Sequence, residues 1–105
     1  MRYILGIDQS TQGTKAALFD ETGRVAAEGR RKHRQIITAE GYIEHDPAEI
    51  MTQTAAAVRD ALESGGIAPG NVLAIGLCDQ RETVVTWDRR TGKPLTNAVV
   101  WQCGR

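Results

Sequence analysis

The feature that most restricts this chain is an apolar run closing on a carboxylate, Tyr3-Ile4-Leu5-Gly6-Ile7-Asp8, followed by the polar stretch Gln9-Ser10-Thr11-Gln12-Gly13-Thr14-Lys15 and then Ala16-Ala17-Leu18-Phe19. Short apolar runs bounded by polar turn residues read as strands rather than helices. Asp8 is therefore expected at the exit of a buried strand. The loop after it offers backbone N–H groups and the hydroxyls of Ser10, Thr11 and Thr14, donors that suit phosphate oxygens, and Gly13 lets the backbone approach closely. A carboxylate beside bound phosphate is repelled unless a metal ion lies between them, so Asp8 suggests Mg²⁺. An Asx-type hairpin turn with no ligand fits these residues equally well. A P-loop does not, because Gly13-Thr14-Lys15 leads into a second strand rather than a helix.

The charge balance excludes several partners. Lys+Arg 13 equals Asp+Glu 13, so no global field favours nucleic acid or an anionic membrane. The basic run Arg30-Arg31-Lys32-His33-Arg34 is expected to be a solvated strand end. No segment approaches the roughly 18 apolar residues of a membrane helix, and the N-terminus lacks a signal-peptide pattern. Cys78 and Cys103 make no secreted disulfide framework, and the ligand spacing of a zinc site is absent from Cys78, Cys103, His33 and His45. A cytoplasmic chain of 105 residues, about the size of one small domain, is the expectation.

Along the chain, Asp20-Glu21-Thr22-Gly23 predicts a turn between antiparallel strands, and Arg24–Glu28 a third strand, giving a three-strand meander. Ile36-Ile37 either extends it or begins a loop. Asp46-Pro47-Ala48-Glu49 predicts a helix start: Asp46 as cap, Pro47 in the first helical position, Glu49 completing a capping box. The helix should run from Pro47 to about Glu63, burying Ile50, Thr54, Ala57, Val58, Ala61 and Leu62, and end at Ser64-Gly65-Gly66. Asn71–Cys78 is apolar nearly throughout, as for a strand covered on both faces. It ends in Asp79-Gln80-Arg81-Glu82-Thr83, a polar cluster at the strand exit where ligands gather in open α/β sheets; an exposed charged loop is the alternative. Val84–Trp87 and Asn97–Trp101 read as further strands around a solvated turn at Asp88–Pro94. A chain stopping just beyond such a strand is expected to belong to a larger protein.

Five segments together carry a resemblance: Asp8–Lys15, Gly41–Pro47, Gln80–Thr83, Thr91–Pro94 and Asn97–Cys103. In their order and spacing the chain, from Ile4 to Arg105, resembles the N-terminal part of the FGGY carbohydrate kinases. The resemblance implies an actin-like, ribonuclease-H-like α/β fold, with a mixed sheet, an antiparallel three-strand meander and a covering helix. It makes residues 1–105 the N-terminal portion of the first kinase domain. It also implies ATP and Mg²⁺, with Asp8 facing the metal–phosphate region and Thr11, Gln12, Gly13 and Lys15 on the phosphates. Arg81 and Glu82 would hold polyol hydroxyls, and Trp101 would lie against the substrate carbons.

The implied reaction is ATP-dependent phosphorylation of a small polyol, glycerol first, with a pentulose or tetritol as runner-up. A non-catalytic actin-like ATPase or sensor module is the reading from another class. The catalytic base and the adenine pocket are expected downstream, so residues 1–105 alone should be inactive. The complete enzyme would be a homo-oligomer, a dimer or tetramer. Departures from the family pattern fall at Ser10, where Gly is usual, at Lys15, where Arg is common, and at Gly104-Arg105, more typical of xylulose-type members. Lys keeps the charge of Arg but loses the bidentate fork.

Overall fold

In the computed structural model, which describes residues 1–103, the first two strands are β1 (Tyr3–Gln9) and β2 (Gly13–Phe19). They pair antiparallel from Ile4↔Phe19 to Gln9↔Thr14. The turn at Asp20–Gly23 forms as expected. One Asp20 carboxylate oxygen accepts from the Thr22 N–H (2.8 Å), the Thr22 hydroxyl (2.6 Å) and the Arg24 N–H (3.1 Å), and Gly23 takes φ +84°. β3 (Val25–Lys32) then returns along β2, longer than the Arg24–Glu28 segment because Gly29–Lys32 pairs onto Gly13–Ala16.

Helix α1 (Pro47–Gly65) starts where the sequence places it, with Asp46 accepting from the Ala48 N–H at 3.0 Å. The capping box does not form. Glu49 is drawn away by Arg34, accepting from its backbone N–H (2.7 Å) and its Nε–H (2.6 Å), a two-point contact that includes a guanidinium in place of the single backbone bond of a capping box. The helix runs two residues past Glu63 to Gly65, and Gly66 (φ +61°) closes it in the left-handed conformation, the usual device for satisfying the last carbonyls.

Alternation along β2 puts Thr14, Ala16 and Leu18 on the helix side, all buried. They meet Leu5, Ala27, Ala57, Ala61 and Ile67 in one core, with Tyr3, Ile7, Val58, Leu62 and Val72 at its margin. β6 (Val72–Cys78) follows a 3-10 turn at Pro69–Asn71 and pairs parallel to β1. The sheet order is β3-β2-β1-β6.

Three expectations fail here. β6 is not covered on both faces: α1 lies over β2 and β3, so Leu73, Ile75 and Leu77 stay 61%, 63% and 68% exposed. Ile36–Ile37 does not extend the meander but forms β4 of a second sheet, with β5 (Ile43–His45) and β7 (Ala98–Val99), in the order β4-β5-β7. The expected strand Val84–Trp87 reduces to isolated bridges, Val84↔Val99 and Trp87↔Pro94. Pro94 has no N–H to donate, and the turn at 88–93 interrupts any ladder. The expected strand Asn97–Trp101 shortens to β7. The second sheet lengthens the chain, whose radius of gyration is 15.6 Å against about 13 Å for a compact chain of this size.

Candidate functional site

Because β1 and β6 run parallel with Asp8 opposite Cys78, the loops that follow them leave the sheet at the same edge. That is where ligands collect in α/β sheets. The β1–β2 turn stands between two depressions there. One, of about 310 Å³, is lined by Asp8, Ser10, Gln12, Gly13, Thr14, Lys15 and Arg30–Lys32. The other, of about 340 Å³, is lined by Ser10, Thr11, Asp79, Gln80, Arg81, Glu82 and Trp101.

The first depression is basic with one exposed acid. Asp8 has no cationic side chain within 4 Å among the described residues. Lys15 lies 3.4 Å from Glu28, and Arg30 3.9 Å from the same carboxylate. The guanidinium of Arg31 engages Asp60 in a fork, at 2.7 and 3.1 Å, which holds the Asp60 carboxyl below its usual range and raises Arg31 further. The basic run is thus part of the depression's wall rather than only a solvated end. Hairpin register shows why: Gly13, Thr14 and Lys15 face Lys32, Arg31 and Arg30. Counting back from the Asp20–Gly23 turn would have placed these cations beside the loop.

The loop's own donors differ from expectation in two places. The Thr14 hydroxyl points to the helix side and lies 3.1 Å from that of Thr54. The Ser10 hydroxyl donates to the Gly13 carbonyl at 3.0 Å, pinning the turn. Gly13 also has a reason within the sheet, since a Cβ there would lie 2.4 Å from the Arg31 carbonyl oxygen.

In the second depression Arg81, Glu82 and Trp101 come together, although Trp101 follows Arg81 by twenty positions. Neither Arg81 nor Glu82 forms an ion pair within 4 Å among the described residues. Glu82 adopts φ +55°, a left-handed backbone unusual for a residue with a side chain. The turn is held by the Gln80 amide, which donates to the Thr83 hydroxyl at 3.0 Å; that hydroxyl donates to the Arg81 carbonyl at 3.3 Å. Thr11, expected on the phosphate side, lines this depression instead of the first.

Sequence reading missed what lies beneath. His33 and His45 are buried, their rings edge to face with centroids 4.4 Å apart. His33 was hidden inside a basic run and His45 just ahead of a helix cap, with no periodicity to mark either as internal. Burial holds both imidazoles below their ordinary value, and for His45 the neighbouring His33 adds to this.

The sheet order, the antiparallel meander ahead of a parallel strand, and the helix across it define an α/β chain of the actin-like ATPase class. Residues 3–105 match the N-terminal domain of the FGGY family of carbohydrate kinases, and the chain belongs to that family. It is 45% identical over 105 residues to glycerol kinase 2 of Thermotoga maritima, covering 100% of this chain and 21% of that protein. It is 47% identical over 100 residues to a glycerol kinase of Rhizobium meliloti, covering 95% and 20%. Among solved structures, a Plasmodium falciparum glycerol kinase with ADP superposes with a TM-score of 0.81 at 42% identity, covering 96% of this chain and 20% of that one. A ligand-bound xylulose kinase of Lactobacillus acidophilus gives 0.83 at 27% identity, covering 96% and 20%. The chain therefore spans about a fifth of the length of the relatives it matches. Gly104 and Arg105, where one family departure falls, lie outside the described residues.

Proposed function

We propose that this chain is the opening portion of the first domain of an ATP-dependent polyol kinase that phosphorylates glycerol. The observation that carries the reading is the meeting of Arg81, Glu82 and Trp101 in one depression beside the β1–β2 turn. A hydroxyl is donor and acceptor at once, so a guanidinium and a carboxylate with no ion-pair partner suit adjacent hydroxyls, and the indole face suits the carbons between them. An ATPase without a second substrate has no use for that set. A pentulose kinase is the second reading, favoured by the fold shared with the xylulose kinase.

In the proposed mechanism, phosphoryl transfer depends on positioning and charge neutralisation. Lys15, Gln12 and the backbone at Gly13 face the phosphates from the basic depression, while Arg81 and Glu82 orient the polyol on the far side of the turn. Thr11, on the turn, lines the polyol side. Asp8 fits Mg²⁺ in the manner of kinases, where one carboxylate and the nucleotide phosphates share a hydrated ion: its carboxylate is exposed, without a cation partner, and beside the basic wall. The ion would supply charge neutralisation between Asp8 and the phosphates. The base that deprotonates the attacking hydroxyl and the adenine pocket belong, on this reading, to the remaining four-fifths of the relatives' length. Among the described residues, no helix is long and apolar enough to cross a membrane. A cytoplasmic homo-oligomer, a dimer or tetramer, fits this reading.

The test is kinetic, in the full-length protein. A hydrogen bond to a charged group is worth roughly 1.5–3 kcal/mol, so Arg81→Ala or Glu82→Ala should raise the KM for glycerol by about ten- to a hundredfold. The KM for ATP should move far less. Equal effects on both substrates, or none on glycerol, reject the assignment.

A further inference from the structure

Beneath the turn that separates the two depressions runs a chain of hydrogen bonds whose direction is fixed from one end. It starts at the backbone carbonyl of Thr11, which can only accept. The Gln35 amide nitrogen donates to it at 2.7 Å, and this orients the Gln35 side chain with its oxygen toward His45. That oxygen, 2.6 Å from His45 Nε2, also only accepts, so the hydrogen of the neutral imidazole sits on Nε2. Nδ1 of His45 is then a bare acceptor. The Gln80 amide nitrogen reaches it at 3.0 Å, and His33 Nε2 lies 3.3 Å away. The same Gln80 nitrogen donates to Thr83. Gln80 Oε1 is left buried without a partner among the described residues. An unmet buried acceptor is costly, and a half-turn of the amide would exchange the two ends. The orientation is therefore imposed on Gln80 by the groups that receive its N–H.

We propose that His45 is a positioning residue. Its Nδ1, kept bare by the Thr11–Gln35 half of the chain of bonds, receives Gln80, and so holds the Arg81–Glu82 backbone, with its left-handed Glu82, in the shape that grips the polyol. The proposal rests on the polyol reading above for what the loop grips, but not for the tie itself. His45 is fully buried and lines neither of the two depressions; it reaches the loop through Gln80. The contact joins β5 to the loop beyond β6 across thirty-five positions of sequence.

Two near-isosteric substitutions separate the halves of the tie. His45→Gln sets an amide nitrogen near the position of Nε2, keeping the bond to Gln35 and releasing Gln80. His45→Asn sets a carbonyl oxygen near the position of Nδ1, keeping Gln80 and releasing Gln35. In the full-length protein, His45→Gln should raise the polyol KM about tenfold while the ATP KM stays within about twofold, the loss expected for one directed hydrogen bond. His45→Asn should leave the polyol KM within about threefold of wild type. A residue that served packing alone would lower the melting temperature in both variants without this split. Equal polyol constants in the two variants overturn the proposal.

Imidazole ¹⁵N spectra of the unsubstituted protein give an arm that needs no variant to fold: His45 should carry its proton on Nε2, and a proton on Nδ1 overturns the tie. Arg81→Ala, measured alongside, keeps the two claims apart. If it leaves the polyol KM unchanged, the polyol reading falls. The tie is then judged by the imidazole spectra and by Gln80 side-chain amide exchange, which His45→Gln should accelerate at least tenfold and which, unaccelerated, rejects it.

Discussion

Gly29 on β3 faces the carbonyl of Ala57 on α1 so closely that a Cβ at position 29 would lie 2.2 Å from that oxygen and 2.8 Å from the Ala61 nitrogen. The obstruction on both sides is backbone, which cannot rotate away. Together with Ala57 and Ala61, both fully buried, this glycine sets how near the helix lies to the sheet. Gly29→Ala is expected to destabilise by about 3 kcal/mol, the upper part of the range for overpacking. Urea unfolding measures it, and a loss under about 1 kcal/mol would mean that the helix can shift outward freely.

Asp8 and Lys15 are directly opposed across β1 and β2, yet Lys15 leans to Glu28. The Asp8 carboxylate is thus left to the depression. Asp8→Asn keeps the shape and removes the charge. In the full-length protein the expected result is a large fall in kcat with a smaller change in polyol KM. Wild-type turnover would reduce Asp8 to a turn residue.

The paired histidines predict an early acid-sensitive stage. Burial holds both below the ordinary imidazole value of about 6.5, although Glu49 works against this at each. The unfolded chain then binds protons that the folded one refuses. Their contribution is present above about pH 6.5 and is lost as pH falls below it. The carboxyls of Glu49, Asp60 and Asp20 are also held low, chiefly by hydrogen bonds from Arg34, Arg31 and Thr22 respectively. Their share persists until pH drops below about 4 to 4.5. Unfolding free energy against pH should fall in two separated stages, and His33→Asn should weaken only the first. A flat profile from pH 7 to 5 contradicts this.

Leu73, Ile75 and Leu77 form an uncovered apolar row on the edge strand β6. Exposed apolar patches of this kind promote association. A polypeptide of residues 1–105 is expected to sediment as more than a monomer, and Ile75→Lys to shift it toward the monomer. A monodisperse unsubstituted chain with a sharp cooperative melt would show that the row is tolerated in water.

What could be read in advance was local. The Asp20–Gly23 turn and the Asp46-Pro47 helix start are decided by residues within a few positions of one another, and both stand where expected. The candidate site's outline was legible for a similar reason: Asp8 stands one residue before the end of β1, and Arg81 comes three positions after β6. The second sheet was not, since strands of two and three residues are too short to show alternation. The failure of the capping box came from a competitor, Arg34, fifteen positions away. The His45–Gln80 contact spans thirty-five positions, and nothing in either neighbourhood announces the other. Cover on β6 was misjudged because an apolar sequence states what a strand needs, not whether the helix reaches it.

The sheet order has a consequence for the order of events during synthesis. β1, β2 and β3 can pair as each emerges, but β1 acquires its second neighbour only when residues 72–78 arrive. Until then β1 is an open edge, with N–H and C=O groups free to capture another nascent chain. Its sequence offsets that hazard: Gly6 weakens the strand and Asp8 sets a charge near its end. The residues that shape the ligand edge of the finished sheet thus also guard the strand while it waits for its partner.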